Sequence, residues 1–365
     1  MKKEYRKVEV DTSTGKYDVI IGENLDVGEL LAGIHEACHV LLVSDDTVFS
    51  LYGDEMAESF RKAGYRVDTF VFEHGEKSKN LDTLGSILEY AGDLRLTRTD
   101  LMVALGGGVT GDITGFASAV YLRGIDFVQI PTTVLAAVDS SVGGKTAVDL
   151  TAGKNLAGAF HQPIGVFLDV TKFASLPEET FSEGLSEAVK AGLIRDRELF
   201  EIFENNDTAA SEGENSSDYG RFSLDMVDIC SRCIEIKAEV VHIDEFDTGL
   251  RQILNFGHTP AHAIEILSGM SISHGQAVAV GMVIMTKKSE MLGKLPEGTT
   301  ARVKKVLEKY KLPTECSYSA KELAGLGAVD KKRTGKTQGI VLLNAIGDAY
   351  VEKIPAEQLA EYLSV

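Results

Sequence analysis

The sequence predicts two domains, an α/β domain built on a parallel sheet over residues 1–176 and a mainly α-helical domain over residues 177–365. The length of 365 residues suits two domains at roughly 150 residues each. Short β-branched runs alternate with amphipathic stretches in the first half, and helical periodicity replaces them after about Leu176. This change of pattern predicts the domain boundary.

Five short runs rich in β-branched and aromatic residues predict the strands of the first domain. They are Tyr17–Ile21, His39–Val43, Arg66–Phe72, Leu101–Leu105 and Phe127–Ile130. Amphipathic stretches between them, such as Asp54–Ala63 and Asn80–Ala91, predict helices. Strands that alternate with helices favour a parallel sheet covered by helices on both faces.

The second domain has apolar residues at helical spacing in five segments. These are Glu178–Ile194, Phe222–Val241, Pro260–Leu267, Gln276–Met291 and Thr300–Tyr310. Two late strand-like runs, Gln338–Leu343 and Asp348–Ile354, flank a turn at Gly347 and predict one small hairpin.

Composition and charge exclude several classes of protein. The chain has 37 basic and 55 acidic residues, a net charge of −18. Such a surface repels phosphates of nucleic acids and anionic membranes, so neither is an expected partner. Four cysteines are too few for a disulfide scaffold. The longest apolar run, Ala277–Met285, is far shorter than the roughly 18 residues of a membrane span, so a soluble cytoplasmic protein is expected.

A glycine-rich segment, Gly106-Gly107-Gly108-Val109-Thr110-Gly111-Asp112, directly follows a predicted strand and leads into a helix. It satisfies G-x-G-x-x-G, which lets a pyrophosphate approach the backbone at a helix N-terminus. This context supports a Rossmann-like dinucleotide-binding domain, with a plain glycine-rich turn as the alternative interpretation. The usual first turn of that fold would lie near residue 20, so a ribose-binding carboxylate would come from an earlier strand end, where Asp45 stands.

The segment from Pro131 to Asn155 concentrates polar side chains between two apolar runs, which is unusual for a core. They are Thr132, Thr133, Asp139, Ser140, Ser141, Lys145, Lys154 and Asn155. A decorated surface loop is the alternative interpretation. The two lysines suit an anionic group.

Three of the eight histidines, His258, His262 and His274, lie close together in the sequence. The spacing H-x-x-x-H lacks the Glu of zinc proteases. Pro260 suits a first helical turn with Thr259 as N-cap, which would place His258 before the helix.

In this interpretation the imidazoles of His258 and His274, together with one carboxylate, form an open site suited to zinc or cobalt. Glu187 offers the carboxylate, with Lys190 one turn further on the same face. Purely structural histidines are the alternative. Cys230-x-x-Cys233 lacks a second pair or a thioredoxin-like setting, so it is predicted to be ordinary core.

Taken in order, these motifs resemble the 3-dehydroquinate synthase family. The resemblance runs from Asp100 to His274 through GGGVTGD, PTTVLAAVDSSVGGK, GKNLAGAFHQP, SEAVK, DEFDTGLRQILNFGHT and SHGQ. It is weaker in VSDD, HGEKSK and the late DKK.

The family implies NAD, a divalent metal and a sugar-acid phosphate substrate, 3-deoxy-D-arabino-heptulosonate 7-phosphate, in the shikimate pathway. The C5 hydroxyl is oxidised, phosphate leaves by elimination, the ketone is reduced again and the opened ring closes by an aldol reaction. NAD is therefore regenerated in each turnover.

Site residues follow from the resemblance position by position. Glu187, His258 and His274 match the metal ligands. The groups that hold substrate and relay protons match Lys145, Lys190, Lys237, Arg251, Asn255, His262 and Asn155. Arg123 would reach the neighbouring subunit's phosphate site, which implies a homodimer, and Lys331 or Lys332 would complete that site. The NAD positions are Asp45, Glu76, Lys79, Gly108, Val109, Asp112, Thr132, Thr133, Asp139, Lys145 and Lys154.

Two departures from the family pattern are Ala261, where Gly is common, and Asp149, where Asn is frequent. Two rival activities stay open. One is another sugar phosphate cyclase, acting on sedoheptulose 7-phosphate or glucose 6-phosphate, although the intact Ser140–Lys145 stretch and Arg251 favour a carboxylated substrate. The other is an oxidoreductase of the glycerol dehydrogenase type, which would produce NADH. A non-catalytic protein that keeps the fold is disfavoured because the ligand candidates are present.

Overall fold

The structure, a computed structural model, describes residues 5–207, 223–327 and 337–365. The chain forms two compact units, Met1–Ser175 with Lys237–His242, and Leu176–Ile236 with Ile243–Val365. Among the described residues, no helix combines the length and apolar character needed to span a membrane.

The first unit is built on a seven-stranded sheet with the order β1-β2-β9-β6-β5-β3-β4. β1 and β2 pair antiparallel, and all other neighbours pair in parallel. The strands are β1 Tyr5–Thr12, β2 Gly15–Gly22, β3 His39–Asp45, β4 Arg66–Phe72, β5 Leu101–Gly106, β6 Asp126–Pro131 and β9 Gly165–Asp169. All five predicted strands are present, and β1 and β9 were not predicted.

Helices cover both faces of this sheet. They are α1 Val27–Ala32, α2 Asp46–Val48, α3 Asp54–Lys62, α4 Leu81–Asp93 and α5 Gly108–Val120. Val40 and Leu42 of β3 pack with α1 and α3, whereas Leu41 and Val43 pack with α4 and α5. Alternate residues of one strand thus enter opposite cores, which is why the parallel strands read as unbroken apolar runs.

The strand order reverses at β3. β4 lies on one side of β3, and β5, the next strand in sequence, lies on the other. Crevices at the carboxyl ends of such strands are the usual ligand sites of open α/β sheets. Asp45 ends β3 and Gly106 ends β5, so both meet at this switch point.

A small antiparallel hairpin, not predicted from the sequence, follows β6. It consists of β7 Lys145–Leu150 and β8 Gly153–Phe160, and its register shifts between Val148 and Leu150. This hairpin contains much of the polar segment that the sequence places between apolar runs.

The second unit is mainly helical. Its helices are α6 Glu178–Arg195, α7 Arg197–Asn205, α8 Met226–Ile243, α9 His258–Leu267, α10 His274–Met291, α11 Thr299–Lys309, α12 Ala320–Gly327 and α13 Leu359–Leu363, with residues 237–242 of α8 assigned to the first unit. Its hairpin is β10 Thr337–Ala345 and β11 Asp348–Pro355. α6 is buried without interruption from Gly184 to Ile194.

The predicted fold class, a Rossmann-like α/β domain followed by a mainly α-helical domain, is confirmed. Cys230 and Cys233 are 0% and 2% exposed in α8, as expected of core residues.

Candidate functional site

Three side chains from three helices of the second unit converge on one point. Glu187 lies in α6, and His258 and His274 are the first residues of α9 and α10. One donor atom from each lies within 4.8 Å of the others. Glu187 Oε1 is 3.7 Å from His258 Nε2 and 3.6 Å from His274 Nε2. The structure thus brings together the three residues predicted as metal ligands.

Close packing at two glycines positions His258. A Cβ on Gly281 of α10 would lie 2.0 Å from the carbonyl oxygen of Gly257. Gly257 itself has a φ of +79°, and a Cβ there would lie 2.8 Å from the backbone nitrogen of Met282. The start of α9 therefore approaches α10 at backbone distance, which only glycine permits.

The prediction that His258 precedes the helix with Thr259 as N-cap is wrong. α9 begins at His258, and Gly257 is its N-cap. The carbonyl oxygen of Gly257 accepts a hydrogen bond from Ala261 N at 3.2 Å, which closes the first turn two residues earlier than expected. The physical reason is the left-handed conformation of Gly257, which lets the helix start directly after it.

Both imidazoles turn the same nitrogen toward Glu187. Nδ1 of His258 lies 3.2 Å from the carbonyl oxygen of Phe256, and Nδ1 of His274 lies 3.5 Å from Oε2 of Glu265. A carbonyl oxygen and a carboxylate only accept hydrogen bonds, so each Nδ1 carries the proton in the neutral ring. The lone pair of each Nε2 is left facing Glu187, as a metal ligand requires.

The electrostatic surroundings of the two histidines differ. Burial, reinforced by the charge of Lys190, lowers the pKa of His258 to about 3. Burial also opposes a charge on His274, but Glu187 and then Glu265 outweigh it and raise its pKa to about 10. Without a metal ion at neutral pH, His258 is therefore neutral and His274 is protonated.

Two further predicted substrate-binding residues lie beside this set. Lys190 is 3% exposed and forms an ion pair with Glu187 one helical turn away. His262 is exposed on α9, and its ring centroid lies 5.7 Å from that of His258. A buried cation beside the ligand set suits anionic groups, and an exposed imidazole suits proton exchange with solvent.

Arg251 is held in place by a turn that the sequence analysis did not single out. Its side chain is buried, and its guanidinium donates to the carbonyl oxygen of Glu245. The carboxylate of Asp244 accepts hydrogen bonds from Gly249 N at 2.7 Å and Arg251 N at 2.9 Å. Asn255 is exposed at the end of the same short helical turn, Leu250–Asn255.

The glycine-rich turn of the first unit opens onto the N-terminus of α5. Gly107 caps this helix without a side-chain hydrogen bond, so its first N–H groups have no side-chain cap. A Cβ on Gly108 would lie 3.1 Å from Ser140 Oγ, so Ser140 packs closely against this turn and leaves little room for a side chain. The buried hydroxyl of Thr132 has no hydrogen-bond partner among the described residues. These features fit a bound dinucleotide phosphate.

Of the other predicted nucleotide positions here, Val109 and Asp112 lie in the first turns of α5, and Thr133 Oγ1 accepts a hydrogen bond from Ala136 N at 3.2 Å.

Lys79, Asp112 and Asn155 form one connected network. The Lys79 ammonium donates to Asp112 Oδ2 at 2.5 Å and to Asn155 Oδ1 at 2.7 Å. Burial raises the pKa of Asp112, and the charge of Lys79 opposes this change. Asp149, one of the two departures from the family pattern, accepts a hydrogen bond from Asn155 N at 2.7 Å. Its carboxylate therefore holds the backbone of a network member.

Asp45 is engaged at the end of β3. Its Oδ1 accepts a hydrogen bond from Val48 N at 2.9 Å, and its Oδ2 accepts one from Thr110 Oγ1 at 3.3 Å. Glu76 and Lys154 lie 3.6 Å apart and are both partly exposed. The structure thus places Asp45 at the switch point and pairs two further predicted nucleotide residues.

Asp139 and Lys237, predicted for NAD and for substrate, form an ion pair within the first unit. The Lys237 ammonium lies 2.5 Å from Asp139 Oδ1 and also donates to the Asp139 carbonyl oxygen. Lys145 is exposed at the start of β7. Arg123 is exposed as well, whereas Lys331 and Lys332 lie outside the described residues.

Sequence reasoning missed Asp244 and Glu265. Asp244 has a local signal, because an acidic residue followed four and five positions later by Thr248 and Gly249 is typical of a turn. Glu265 has only a weak one, its position seven residues after His258 on the same helix face.

Comparisons with known proteins agree with this architecture. The chain matches the family 3-dehydroquinate synthase N-terminal over residues 69–183 and the family 3-dehydroquinate synthase C-terminal over residues 184–333. A 3-dehydroquinate synthase of Clostridium acetobutylicum is 40% identical over 364 residues, which is 99% of each chain.

Two solved structures are also similar. A 2-deoxy-scyllo-inosose synthase complexed with carbaglucose-6-phosphate, NAD⁺ and Co²⁺ has a TM-score of 0.85 and 27% identity, covering 98% of this chain and 99% of that one. A 2-epi-5-epi-valiolone synthase from Streptomyces hygroscopicus with NAD⁺ and Zn²⁺ bound has a TM-score of 0.84 and 26% identity, covering 95% of both chains. Because the family matches span most of the sequence and the curated relative matches end to end, this chain belongs to the 3-dehydroquinate synthase family.

Proposed function

We propose that this protein converts 3-deoxy-D-arabino-heptulosonate 7-phosphate to 3-dehydroquinate and phosphate, with NAD and a divalent metal ion. The observation that carries the proposal is the convergence of Glu187, His258 and His274 beside Lys190. Full-length identity of 40% to a curated 3-dehydroquinate synthase supports the choice of substrate. The product places the enzyme in the shikimate pathway of aromatic amino acid biosynthesis.

The donor set suits the metal. Glu187, His258 and His274 offer one oxygen and two nitrogens, a set that both zinc and cobalt accept with a position left for substrate. When bound, the ion supplies Lewis-acid polarisation of substrate oxygens. The protein's own part is to hold both Nε2 lone pairs toward one point by fixing each Nδ1–H.

The first unit suits NAD. The N-terminus of α5 and the hydroxyl of Thr132 supply donors for the phosphates, and Asp45 lies at the switch point where a ribose would sit. When bound, NAD supplies hydride exchange. The residues around it orient the nucleotide, and the Lys79 ammonium, which pairs with Asp112, also donates to Asn155 of the neighbouring hairpin.

The reaction balances without an external oxidant. The C5 hydroxyl is oxidised and later reduced, and one C–O bond to phosphate breaks with loss of the C6 proton. The C–O bond that closes the sugar ring then breaks, and one C–C bond forms as the C2 carbonyl becomes a hydroxyl. Arg251, rigidly held by Glu245 and the Asp244 turn, is preorganised for the substrate carboxylate. Lys190 adds positive charge beside the ligand set, and exposed His262 is suited to pass protons to solvent.

A substrate panel tests the proposal. The protein is freed of metal, reloaded with Zn²⁺ or Co²⁺, given NAD, and assayed for phosphate release from the heptulosonate phosphate, sedoheptulose 7-phosphate and glucose 6-phosphate. We expect release from the first alone. Release only from another sugar phosphate would favour the rival cyclase activity, and steady NADH formation would favour the dehydrogenase alternative.

A matched pair of variants links the activity to the metal site. Glu187→Gln should lose metal and turnover together, because a neutral amide replaces the only carboxylate of the set. Glu198→Gln makes the same chemical change at a side chain that is 77% exposed and should retain both. Unchanged turnover in Glu187→Gln would contradict the assignment.

We further propose that the enzyme is a homodimer in which Arg123 serves the neighbouring subunit. Leu122 and Arg123 have φ values of 48° and 70° and are both exposed. Consecutive left-handed non-glycine residues are strained and persist mainly at functional positions. This conformation supports a functional role for Arg123, which we place at the phosphate site of the neighbouring subunit.

Subunit complementation tests this arrangement. Arg123→Ala and Lys190→Ala should each be inactive alone, whereas co-expression should restore about a quarter of wild-type activity, because half the dimers would be mixed and each would contain one complete site. No recovery from the two inactive variants would show that Arg123 acts within its own subunit, and full activity of Arg123→Ala alone would show that Arg123 has no role in the reaction.

A further inference from the structure

A second buried carboxylate, Glu265, lies behind the candidate metal ligands. It is 4% exposed in α9, and its Oε2 is 3.5 Å from Nδ1 of His274. The opposite nitrogen of the same ring, Nε2, faces Glu187 at 3.6 Å. His274 is therefore placed between two carboxylates, one on each ring nitrogen.

The helix itself explains this placement. Glu265 follows His258 by seven residues, two turns of α9, so both side chains leave the same face. Burying a carboxylate is unfavourable unless charged or polar groups compensate it. Because Glu265 is buried and its carboxylate faces the imidazole of His274, this contact is not an incidental ion pair at the surface.

We propose that Glu265 is a positioning residue for the metal site, acting through His274. It accepts the Nδ1–H of His274, which fixes the ring orientation and leaves the Nε2 lone pair facing Glu187. It also adds a second negative charge behind the ligands. This inference rests on the proposed metal site and deepens it.

The two histidines differ in how they are supported. Nδ1 of His258 is held by the backbone carbonyl of Phe256, which no side-chain substitution removes. Nδ1 of His274 is held by the Glu265 side chain, so this support alone is open to mutation. Of these two orienting contacts, only the one made by Glu265 can be removed by substituting a side chain.

Zinc binding to the metal-free protein, without NAD or substrate, tests the proposal. Glu265→Met keeps the volume and removes the acceptor, and Glu265→Gln keeps an acceptor and removes the charge. Zn²⁺ affinity is measured by competition with a chelator. We expect the Met variant to bind zinc about 10- to 100-fold more weakly than wild type, and the Gln variant to lose less.

Two controls separate orientation from folding. Ile266→Ala alters the next residue, which is 53% exposed, and should bind zinc like wild type. The metal-free Met variant should unfold at a lower temperature than wild type, because a buried ion pair loses one partner while His274 remains. A purely structural ion pair would lower the unfolding temperature in the same way but leave zinc affinity unchanged.

The outcomes are distinct. Zinc affinity of Glu265→Met within about twofold of wild type, or equal losses in the Met and Gln variants, would overturn the inference. If the Met variant does not fold, the Gln variant carries the test, with a loss of about two- to tenfold expected and no loss contradicting it. Failure of the wild type to bind zinc, or wild-type binding by Glu187→Gln, would instead overturn the proposed metal site.

Discussion

Substituting Gly275 tests whether the packing of α10 against α6 sets the geometry of the metal site. It follows His274, and it packs against Glu183, which lies one helical turn before Glu187 in α6. A Cβ at Gly275 would lie 2.4 Å from the Glu183 carbonyl oxygen, whereas ordinary contact begins at 3.4 Å. In Gly275→Ala the two helices must therefore separate by about 1 Å, against a tolerance of roughly 0.2 Å in metal–ligand distances.

The expected magnitudes follow from this overlap. Overpacking costs about 1–3 kcal/mol, and replacing glycine by alanine in a helix returns about 0.5–1 kcal/mol. We expect the free energy of unfolding, measured in urea on the metal-free protein, to fall by up to about 2.5 kcal/mol in Gly275→Ala. Zinc affinity, measured by chelator competition, should fall at least about tenfold.

Gly85→Ala is the matched control. No atom lies within 4 Å of a Cβ at Gly85 in α4, so this variant should gain up to about 1 kcal/mol of stability and bind zinc like wild type. If Gly275→Ala also bound zinc like wild type, the close packing of α6 against α10 would not set the ligand geometry, and the reasoning would fail.

Three further predictions concern charged side chains. Lys79→Met should lower the free energy of unfolding in urea by about 3–5 kcal/mol, because Asp112 would lose its cation; a loss below about 1 kcal/mol would contradict this. Zinc binding at pH 7 should release about one proton, from His274 with its pKa of about 10, and this release should vanish as the pH rises above that value. Calorimetry in two buffers counts it, and no release at pH 7 would refute the prediction. Asp149→Ala should weaken NAD binding, followed by fluorescence, about three- to tenfold more than Asp149→Asn, which retains an acceptor for Asn155 N; equal affinities would count against this role.

The fold class was predictable because its signals are local. Continuous apolar runs such as Leu101–Leu105 identify strands buried on both faces, and the observed β5 adds only Gly106. β8 was missed because its residues are mostly exposed and give no buried face to detect. β9 was missed because its apolar run is only three residues long, Val166–Leu168, between Gly165 and Asp169.

The metal ligands were predictable as residue types, but their orientation was not. Glu187 and His258 are 71 residues apart in the sequence, and only tertiary packing shows that their donor atoms meet. The incorrect N-cap assignment at Thr259 arose because a hydroxyl before proline is a common cap, whereas Gly257 supplies the conformation that starts α9. Glu265 looked like an ordinary helical residue until its contact with His274 was known.

Regeneration of NAD within each turnover distinguishes the proposed reaction from that of a dehydrogenase, and it is measured by counting product molecules against NAD. The metal-loaded enzyme is given a limiting amount of NAD and excess 3-deoxy-D-arabino-heptulosonate 7-phosphate, and phosphate, 3-dehydroquinate and NADH are measured together. We expect many molecules of phosphate and 3-dehydroquinate per NAD, in equal amounts, with no accumulation of NADH. Product limited to the amount of NAD supplied, with matching NADH, would contradict it.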